Sequence, residues 1–270
     1  MGIKTVLLFT GMMLSSTTST LLLAQEKPPI PAVIQALEKK AQGGDIEAKK
    51  DLGLEYLFGG RVAKDGALAE KWLAAAGDGG NAAAQTALEF MYEEGQGVAK
   101  DAAKAAKWYE KAAKQGHPKA QTRLGYMYKT GVGIKQDLKL AAKWLQAGAS
   151  MGEVYAQANL AEMYENGQGV KQDYSVAATW YSAAASQGHP SSQSRLARLY
   201  ATGKGVEKNL VFAYMWYTIA GVWEGDDMNM AADDPRQELG PLMSKEDIEK
   251  AEGLATDWWV ENFSRHSGTM

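Results

Sequence analysis

Residues Gly148 to Gly152 spell the pattern G-x-S-x-G, in which a serine nucleophile stands on a sharp turn. That chemistry needs a strand before the serine and a helix after it, so that the hydroxyl is held at the top of a sheet. Ser150 instead falls where a helical pattern ends, and Gly152 occupies the same position as Gly116 and Gly188 in equivalent stretches. We therefore interpret this segment as a helix end followed by a turn, without a catalytic serine.

Other residue types that often take part in catalysis or ligand binding also fall at regular structural positions. His117 and His189 hold the same place two repeats apart, and His266 is near the C-terminus, so the histidines do not have the spacing of a metal site. Glycine pairs such as Gly95 and Gly97 lack the G-K-[ST] that completes a phosphate loop. Five residues at the start of helical stretches are interpreted as N-caps rather than catalytic carboxylates: Asp65, Asp101, Asp137, Asp173 and Asn209. The sequence thus predicts no catalytic, cofactor-binding or metal-binding residue, and no enzyme.

These positions recur because the chain repeats itself every 36 residues. Three residue types follow that spacing through five units: Tyr56, Tyr92, Tyr128, Tyr164 and Tyr200; Trp72, Trp108, Trp144, Trp180 and Trp216; Leu52, Leu88, Leu124, Leu160 and Leu196. A period of about 20–50 residues is typical of solenoids, in which each unit buries its apolar face against its neighbours.

The unit Asn81 to Gly116 shows how one repeat is expected to fold. The predicted buried stripes of its two helices are Ala84, Leu88, Tyr92 and Ala105, Trp108, Ala112. Two glycines between the helices permit backbone angles that residues with a Cβ avoid. The first unit has Arg61 in place of the second glycine, so its turn is expected to differ.

Composition restricts the classes of function. The chain of 270 residues is 46% apolar, carries a net charge of −3 and has no basic run, which argues against nucleic-acid binding. It contains no cysteine, so disulfides and thiolate metal sites are excluded.

The N-terminal residues 1–24 read as a secretory signal, with Lys4 followed by an apolar stretch from Val6 to Leu14. An uncleaved membrane anchor is the alternative; the mature chain is expected to have no membrane span, because no other apolar run approaches the ~18 residues needed. We expect a periplasmic or secreted protein. Residues 25–44 should form a linker and an N-terminal capping helix from Ala32 to Gln42, before five repeats at 45–224.

Beyond the repeats, residues 225–260 are expected to form C-terminal capping helices and 261–270 a flexible tail. Met230 to Leu242 should be an irregular helix, and Ser244 should cap a last helix that ends near Val260. The expected apolar stripe of that helix is Ile248, Ala251, Ala255 and Trp258. Trp259 points about 100° away from this stripe and is expected to be exposed.

The pattern A-x3-L-x3-Y-x2-G-x-G-V-x2-D-x3-A-x2-W-Y-x-K-A-A-x-Q-G, from Ala84 to Gly116, resembles the Sel-1-like repeat, a relative of the tetratricopeptide repeat. Gln157 to Gly188 matches nearly as well. The resemblance implies an all-α protein, a right-handed α/α superhelical solenoid of helix–turn–helix repeats, that serves as a protein-interaction scaffold and is exported in many bacterial members. One exported subgroup with penicillin-binding or β-lactamase activity is rich in disulfides, which this chain lacks.

First helices usually line the concave side of such a superhelix. We call a set of equivalent positions, 36 residues apart in successive repeats, a column, and two columns of the first helices vary in residue type between repeats. We expect six of these residues to form a groove for a protein or peptide partner: Arg123, Tyr126, Asn159, Glu162, Arg195 and Arg198. An ordinary solvated face is the alternative. Reversing the charges of Arg195 and Arg198 should then leave thermal stability nearly unchanged. A glutamine column is expected to form a hydrogen-bond ladder between repeats: Gln85, Gln121, Gln157 and Gln193.

The sequence therefore favours an exported interaction scaffold or adaptor without catalysis and without cofactors. Two alternatives stay open: an immunity or inhibitor protein that neutralises a periplasmic toxin or hydrolase, and a hydrolase acting on cell-wall or β-lactam substrates. The oligomeric state is open as well.

Overall fold

The computed structural model describes residues 30–223 and 234–266, and regular structure in these ranges is helical throughout. The expected signal peptide at 1–24 lies outside the described residues. The helices in the described ranges are α1 (Ala32–Gln42), α2 (Ile46–Phe58), α3 (Gly66–Asp78), α4 (Ala82–Glu94), α5 (Ala102–Lys114), α6 (Pro118–Thr130), α7 (Leu138–Ser150), α8 (Val154–Asn166), α9 (Tyr174–Ser186), α10 (Pro190–Thr202), α11 (Leu210–Trp223), α12 (Pro235–Leu239) and α13 (Lys245–His266). From α1 to α11 each helix packs against the next, which makes the α/α solenoid that the 36-residue period predicts.

Each repeat is a pair of antiparallel neighbours: α2 with α3, α4 with α5, α6 with α7, α8 with α9, and α10 with α11. The predicted capping residues do cap the second helices. Their side-chain oxygens accept the backbone N–H three residues later at 2.9–3.0 Å: Asp65, Asp101, Asp137, Asp173 and Asn209. These bonds satisfy donors that have no partner inside the helix, and so fix where each second helix begins.

Glycines end the first helices, as predicted. In the third repeat Gly131 and Gly133 have φ of +79° and +71°, in the left-handed region. A Cβ on Gly133 would lie 2.3 Å from the carbonyl oxygen of Ala102, so this turn approaches the start of α5 too closely for any side chain. The first repeat keeps only the first positive φ, at Gly59, and its Arg61 pairs with Glu55 instead. The expected difference in the first turn is therefore confirmed.

The predicted buried stripe of α5 is confirmed, with Ala105 and Ala112 each 2% exposed, but the tryptophan is not the deepest residue of every second helix. Trp108 is 9% exposed, but the other four tryptophans of the column are only partly buried. In the first four repeats the residue after the tryptophan is buried: Leu73 and Leu145 are 0% exposed, Tyr181 2% and Tyr109 6%. In the first three repeats a lysine ammonium lies over the indole ring: the distance from Nζ to the ring centroid is 5.0 Å at Trp72, 4.1 Å at Trp108 and 5.8 Å at Trp144.

The glutamine ladder is present. Each side-chain amide of the column donates to a backbone carbonyl eight residues earlier, at the end of the preceding helix: Gln85 to Gly77, Gln121 to Ala113, Gln157 to Ala149, and Gln193 to Ala185, at 2.9–3.3 Å. These bonds satisfy carbonyls that a helix end leaves without a partner, and they join successive repeats.

The ends of the array are capped. α1 has the predicted bounds and packs on α2, with Ile34 fully buried. At the other end α13 packs on α11, and its N-terminus is held by Ser244, whose Oγ accepts the N–H of Asp247 at 3.1 Å. Residues 235–242 form a short α-helix and a 3-10 turn, and the start of the expected irregular helix, at 230–233, lies outside the described residues.

Two expectations for the last helix are wrong. α13 continues to His266, beyond the expected end at Val260 and into the expected tail, because neither glycine nor proline interrupts it there. Trp259 is partly buried rather than exposed, since it packs edge-on against Trp258 with ring centroids 5.5 Å apart, beside the core between α11 and α13. The helix α13 therefore packs against the core with Trp259 as well as with the expected stripe. Across residues 30–223 and 234–266, no helix combines the length and apolarity that a bilayer crossing requires.

Candidate groove on the first helices

Three adjoining depressions follow the side of the solenoid formed by the first helices. The first lies between α4 and α6, with a volume of about 410 Å³. The second, between α6 and α8, measures about 500 Å³, and the third, between α8 and α10, about 220 Å³. Arg123 lines the first and the second, and Asn159 lines the second and the third. We refer to the three together as the groove.

The structure places five of the six predicted residues in this groove. Arg123, Tyr126 and Asn159 line the second depression, and Glu162 and Arg195 join Asn159 in the third. Arg198 extends beside Arg195, and both arginines reach the same carboxylate. The residues that vary between repeats are thus brought together on one surface.

Arg195 and Arg198 each pair with a carboxylate inside the protein, which the sequence reasoning did not predict. Glu165 is 5% exposed and accepts from Arg195 Nη1 at 3.3 Å, from Arg198 Nη2, and from the Tyr181 hydroxyl at 2.7 Å. The two guanidinium groups therefore balance a buried charge inside the protein. The expectation that reversing both charges leaves stability nearly unchanged does not fit this arrangement, because Glu165 would face like charges.

The same arrangement occurs two repeats earlier. Glu93 accepts from the Tyr109 hydroxyl at 2.5 Å and pairs with Arg123 Nη2 at 3.3 Å. Burial, and then the hydrogen bond to the neighbouring carboxylate, raise the pKa of both tyrosines well above the usual range. In the repeat between them the charges are reversed: Lys129 Nζ donates to Asn159 Oδ1 at 3.0 Å and pairs with Glu162.

The sequence reasoning missed the residues that hold these pairs. Glu93, Lys129 and Glu165 occupy one column of the 36-residue register, and their partners occupy the two predicted columns. The alternation Glu, Lys, Glu along that column is the signal that could have identified them.

Exposed aromatic side chains mark the second depression, in the middle of the groove, and the helix α4. Tyr126 and Tyr155 line the second depression and are 44% and 67% exposed, and Phe90 on α4 is 42% exposed. The ring of Tyr155 also meets His189 edge-on, with centroids 5.7 Å apart. The second depression therefore presents aromatic surface next to Lys119 and Arg123, whereas the third is polar.

Ser150 lies at the end of α7, where its hydroxyl donates to the Gln146 carbonyl at 2.8 Å, so the segment is a helix end as predicted and holds no nucleophile–base pair. His189 caps α10 by accepting the Ser192 N–H at 3.2 Å, and burial lowers its pKa. His117 is also an N-cap residue, on α6. Within the described ranges, no three His, Asp or Glu residues cluster as metal ligands do.

Two solved structures share the fold with useful similarity. A protective antigen present in uropathogenic Escherichia coli strains and displaying an SLR fold is 29% identical, with a TM-score of 0.60 over 86% of this chain and 56% of the antigen. The chain thus spans little more than half of that protein. A Sel1 repeat protein from Oxalobacter formigenes is also 29% identical, with a TM-score of 0.59 over 84% of this chain and 95% of its own.

An immunity protein of Pseudomonas aeruginosa is 19% identical over 86% of this chain and 84% of its own, with a TM-score of 0.39, too low to carry an argument. No curated protein matches the chain. The family model of the Sel1 repeat matches five consecutive segments, residues 46–81, 82–117, 118–153, 154–189 and 190–221. These segments coincide with the five helix pairs, and the chain therefore belongs to the Sel1 repeat family.

Proposed function

We propose that the chain is a protein-interaction scaffold that binds an extended segment of a partner protein along the groove, and that its role is binding rather than catalysis. Sel1 repeat proteins generally mediate protein interactions. The observation that carries the proposal here is the exposure of Tyr126 and Tyr155 in the largest of three adjoining depressions. Aromatic side chains dominate the energetics of interfaces, and a soluble protein rarely exposes them in a cluster without use.

The charges on both sides of these rings favour an elongated occupant. Glu93 with Arg123 and Glu165 with Arg195 and Arg198 stand one on each side of the second depression. Each of these charged groups already has a partner of opposite charge within the protein, so they act as polar borders. A segment that crosses all three depressions would place apolar side chains at the tyrosines and polar groups at the borders.

A random peptide library displayed on phage tests this proposal without knowledge of the partner. The immobilised chain is expected to enrich peptides of a common pattern, and a Tyr126→Ala, Tyr155→Ala double variant should lose that enrichment. Leu242→Ala is the matched control, because Leu242 is 68% exposed but lies in the C-terminal cap. Equal enrichment by the wild type and the double variant would place the binding surface elsewhere.

We further propose that the protein is exported and that its mature form begins at Gln25. Lys4 and the apolar stretch from Val6 to Leu14 support this proposal. Cell fractionation followed by N-terminal sequencing tests it. An intact Met1 on the protein, or its recovery from the cytoplasmic fraction, would contradict the proposal.

A further inference from the structure

A buried carboxylate without a partner lies in the first depression. Glu89 on α4 is 8% exposed, and its Oε1 is buried with no hydrogen-bond partner and no ion pair. The two comparable carboxylates of the groove, Glu93 and Glu165, are both bonded to a tyrosine hydroxyl and to arginine. Buried polar groups are almost always paired, so an unpaired one needs an explanation.

Packing does not explain Glu89. The same position of the other repeats is occupied by small residues, namely Gly53, Gly125, Ala161 and Ala197. In the first and third repeats even a methyl group would be crowded, since a Cβ on Gly125 would lie 2.7 Å from Leu145 Cγ. The fourth repeat is the best comparison, because its second helix carries a buried tyrosine, Tyr181, as the second repeat carries Tyr109. There the position of Glu89 is filled by an alanine. The fold thus has no need of a carboxylate at this position.

The other charges that line the first depression do not neutralise Glu89. Glu93 from α4 is held by Tyr109 and Arg123, and neither Arg123 nor Lys119 of α6 forms an ion pair with Glu89. The titratable and charged groups facing the depression come from every surrounding element: Glu93, Tyr109, His117, Lys119, Arg123 and Glu153. Burial, and then the charge of Glu93, raise the pKa of Glu89 to about 7. The carboxyl is therefore poised to ionise near neutral pH when a positive charge approaches.

The depression is large enough to admit a ligand group. Its volume of about 410 Å³ is that of roughly a dozen water molecules, at about 30 Å³ each in the liquid. An ionised carboxylate accepts hydrogen bonds only, so its complement is a cationic donor. A long side chain with a terminal charge can bring that donor to a carboxylate at the base of a depression while its apolar stem lies against the walls.

We propose that the first depression is a subsite for a lysine or arginine side chain of the bound segment, with the Glu89 carboxylate as its acceptor. This inference rests on the proposed function, because it specifies one residue of the segment that the groove binds. The second depression then takes an apolar side chain at Tyr126 and Tyr155, and the first takes the neighbouring basic one. The partner is accordingly a protein with a basic residue beside an apolar one in an accessible segment.

The phage library tests the subsite when it is applied to variants of one residue. Peptides enriched by the wild type at neutral pH are expected to carry lysine or arginine at one fixed position. The Glu89→Ala variant has in its second repeat the alanine that the fourth repeat already has, and it should lose the preference for lysine or arginine. Glu94→Ala is the control, since it removes an exposed carboxylate from the same helix outside the depression. Thermal denaturation of each variant verifies that it is folded.

A synthetic peptide from the wild-type selection makes the test quantitative. Its affinity should fall about 10- to 100-fold on Glu89→Ala, and equally when its basic residue is replaced by norleucine. The two changes together should cost no more than either one, because they remove the same contact. Glu89→Gln, which keeps the shape and removes the charge, should behave as Glu89→Ala does.

The outcomes separate the subsite from the groove. Enriched peptides without a basic position, or a basic preference that persists on Glu89→Ala, would overturn the subsite and leave groove binding in place. Additive losses from norleucine and Glu89→Ala would overturn it as well, because the basic residue would then bind elsewhere. If the wild type enriches no peptide at all, the proposed function fails and this inference with it.

Discussion

The unpaired carboxylate of Glu89 predicts a stability change that depends on pH. Its pKa is raised from 4.5 to about 7 in the folded chain, so the folded state holds the proton more tightly than the unfolded state does. Below pH 4.5 the carboxyl is protonated in both states and costs nothing. As the pH rises towards 7, the unfolded state ionises first, and the folded state loses stability relative to it.

The size of the effect follows from the shift. At about 1.4 kcal/mol per pKa unit, a rise from 4.5 to about 7 corresponds to about 3 kcal/mol, which is fully expressed only above pH 7. Glu89→Ala removes the loss of stability that ionisation of Glu89 causes. The free energy of unfolding of the variant, relative to that of the wild type, should therefore rise by about 2–3 kcal/mol when the pH is raised from acidic to slightly alkaline values.

Urea denaturation at a series of pH values, followed by tryptophan fluorescence, measures the difference in the free energy of unfolding between variant and wild type. Glu94→Ala, on the exposed side of the same helix, is the control for the loss of one carboxylate. A difference between Glu89→Ala and wild type that is constant over this pH range would refute the argument. So would a difference that becomes less favourable to the variant as the pH rises, because it would mean that Glu89 is paired in the folded protein.

Three further predictions follow from contacts within and between repeats, all measured by urea or thermal denaturation. Gly125→Ala should destabilise the chain by about 1–3 kcal/mol, because its Cβ would lie 2.7 Å from a buried side chain; no loss would mean that the helices can move apart. Arg195→Glu combined with Arg198→Glu should cost about 1–3 kcal/mol, and adding Glu165→Gln should restore part of it, which an exposed ion pair would not show. Gly133→Ala should cost more than the roughly 1 kcal/mol of a left-handed φ alone, because its Cβ would also meet a backbone carbonyl; a smaller cost would contradict the close approach at this turn.

The elements of the fold could be predicted because local signals determine them. Asp101 begins a helix by binding the N–H of Lys104, and Gly95 ends one by adopting a φ of +75°; both effects act within a few residues. The spacing of 36 residues then predicts the helices of all the remaining repeats. The bounds of α1 also agree with the prediction, since Pro31 and Gly43 flank it directly.

The roles of the groove residues could not be predicted in the same way, because their partners lie 30 or 33 residues away. Arg195 and Arg198 are exposed enough to look like free binding residues, yet both serve Glu165 in the preceding repeat. Glu89 is the reverse case: its position on α4 suggests a helix surface, but it is 8% exposed. Whether a charge is paired is decided where two repeats meet, and one repeat read by itself does not contain that information.

The contact between the two helices of one repeat shows that the first four repeats alternate between two kinds, whereas the fifth carries Tyr217 directly after the tyrosine of the fourth. Where the second helix carries a leucine, as at Leu73 and Leu145, the facing residue of the first helix is glycine, because the branched Cγ comes within 2.6–2.7 Å of the place of a Cβ. Where it carries a tyrosine, as in the second and fourth repeats, the facing residue is larger, and the buried hydroxyl requires an acceptor. That acceptor is a glutamate held by an arginine of the next repeat.

The alternation accounts for the shape of the groove. The second and fourth repeats supply the glutamates of its charged borders, and the third repeat between them, with its first helix α6, supplies the aromatic centre at Tyr126. In the proposed mode of binding, the partner contacts several successive repeats rather than a single one. In the second repeat, moreover, Glu89 replaces the alanine of the fourth, and Glu93 pairs with one arginine where Glu165 pairs with two, so the two borders differ in charge. In the proposed mode of binding, that difference gives the bound segment a direction, because its basic residue lies at the end of the groove that holds Glu89.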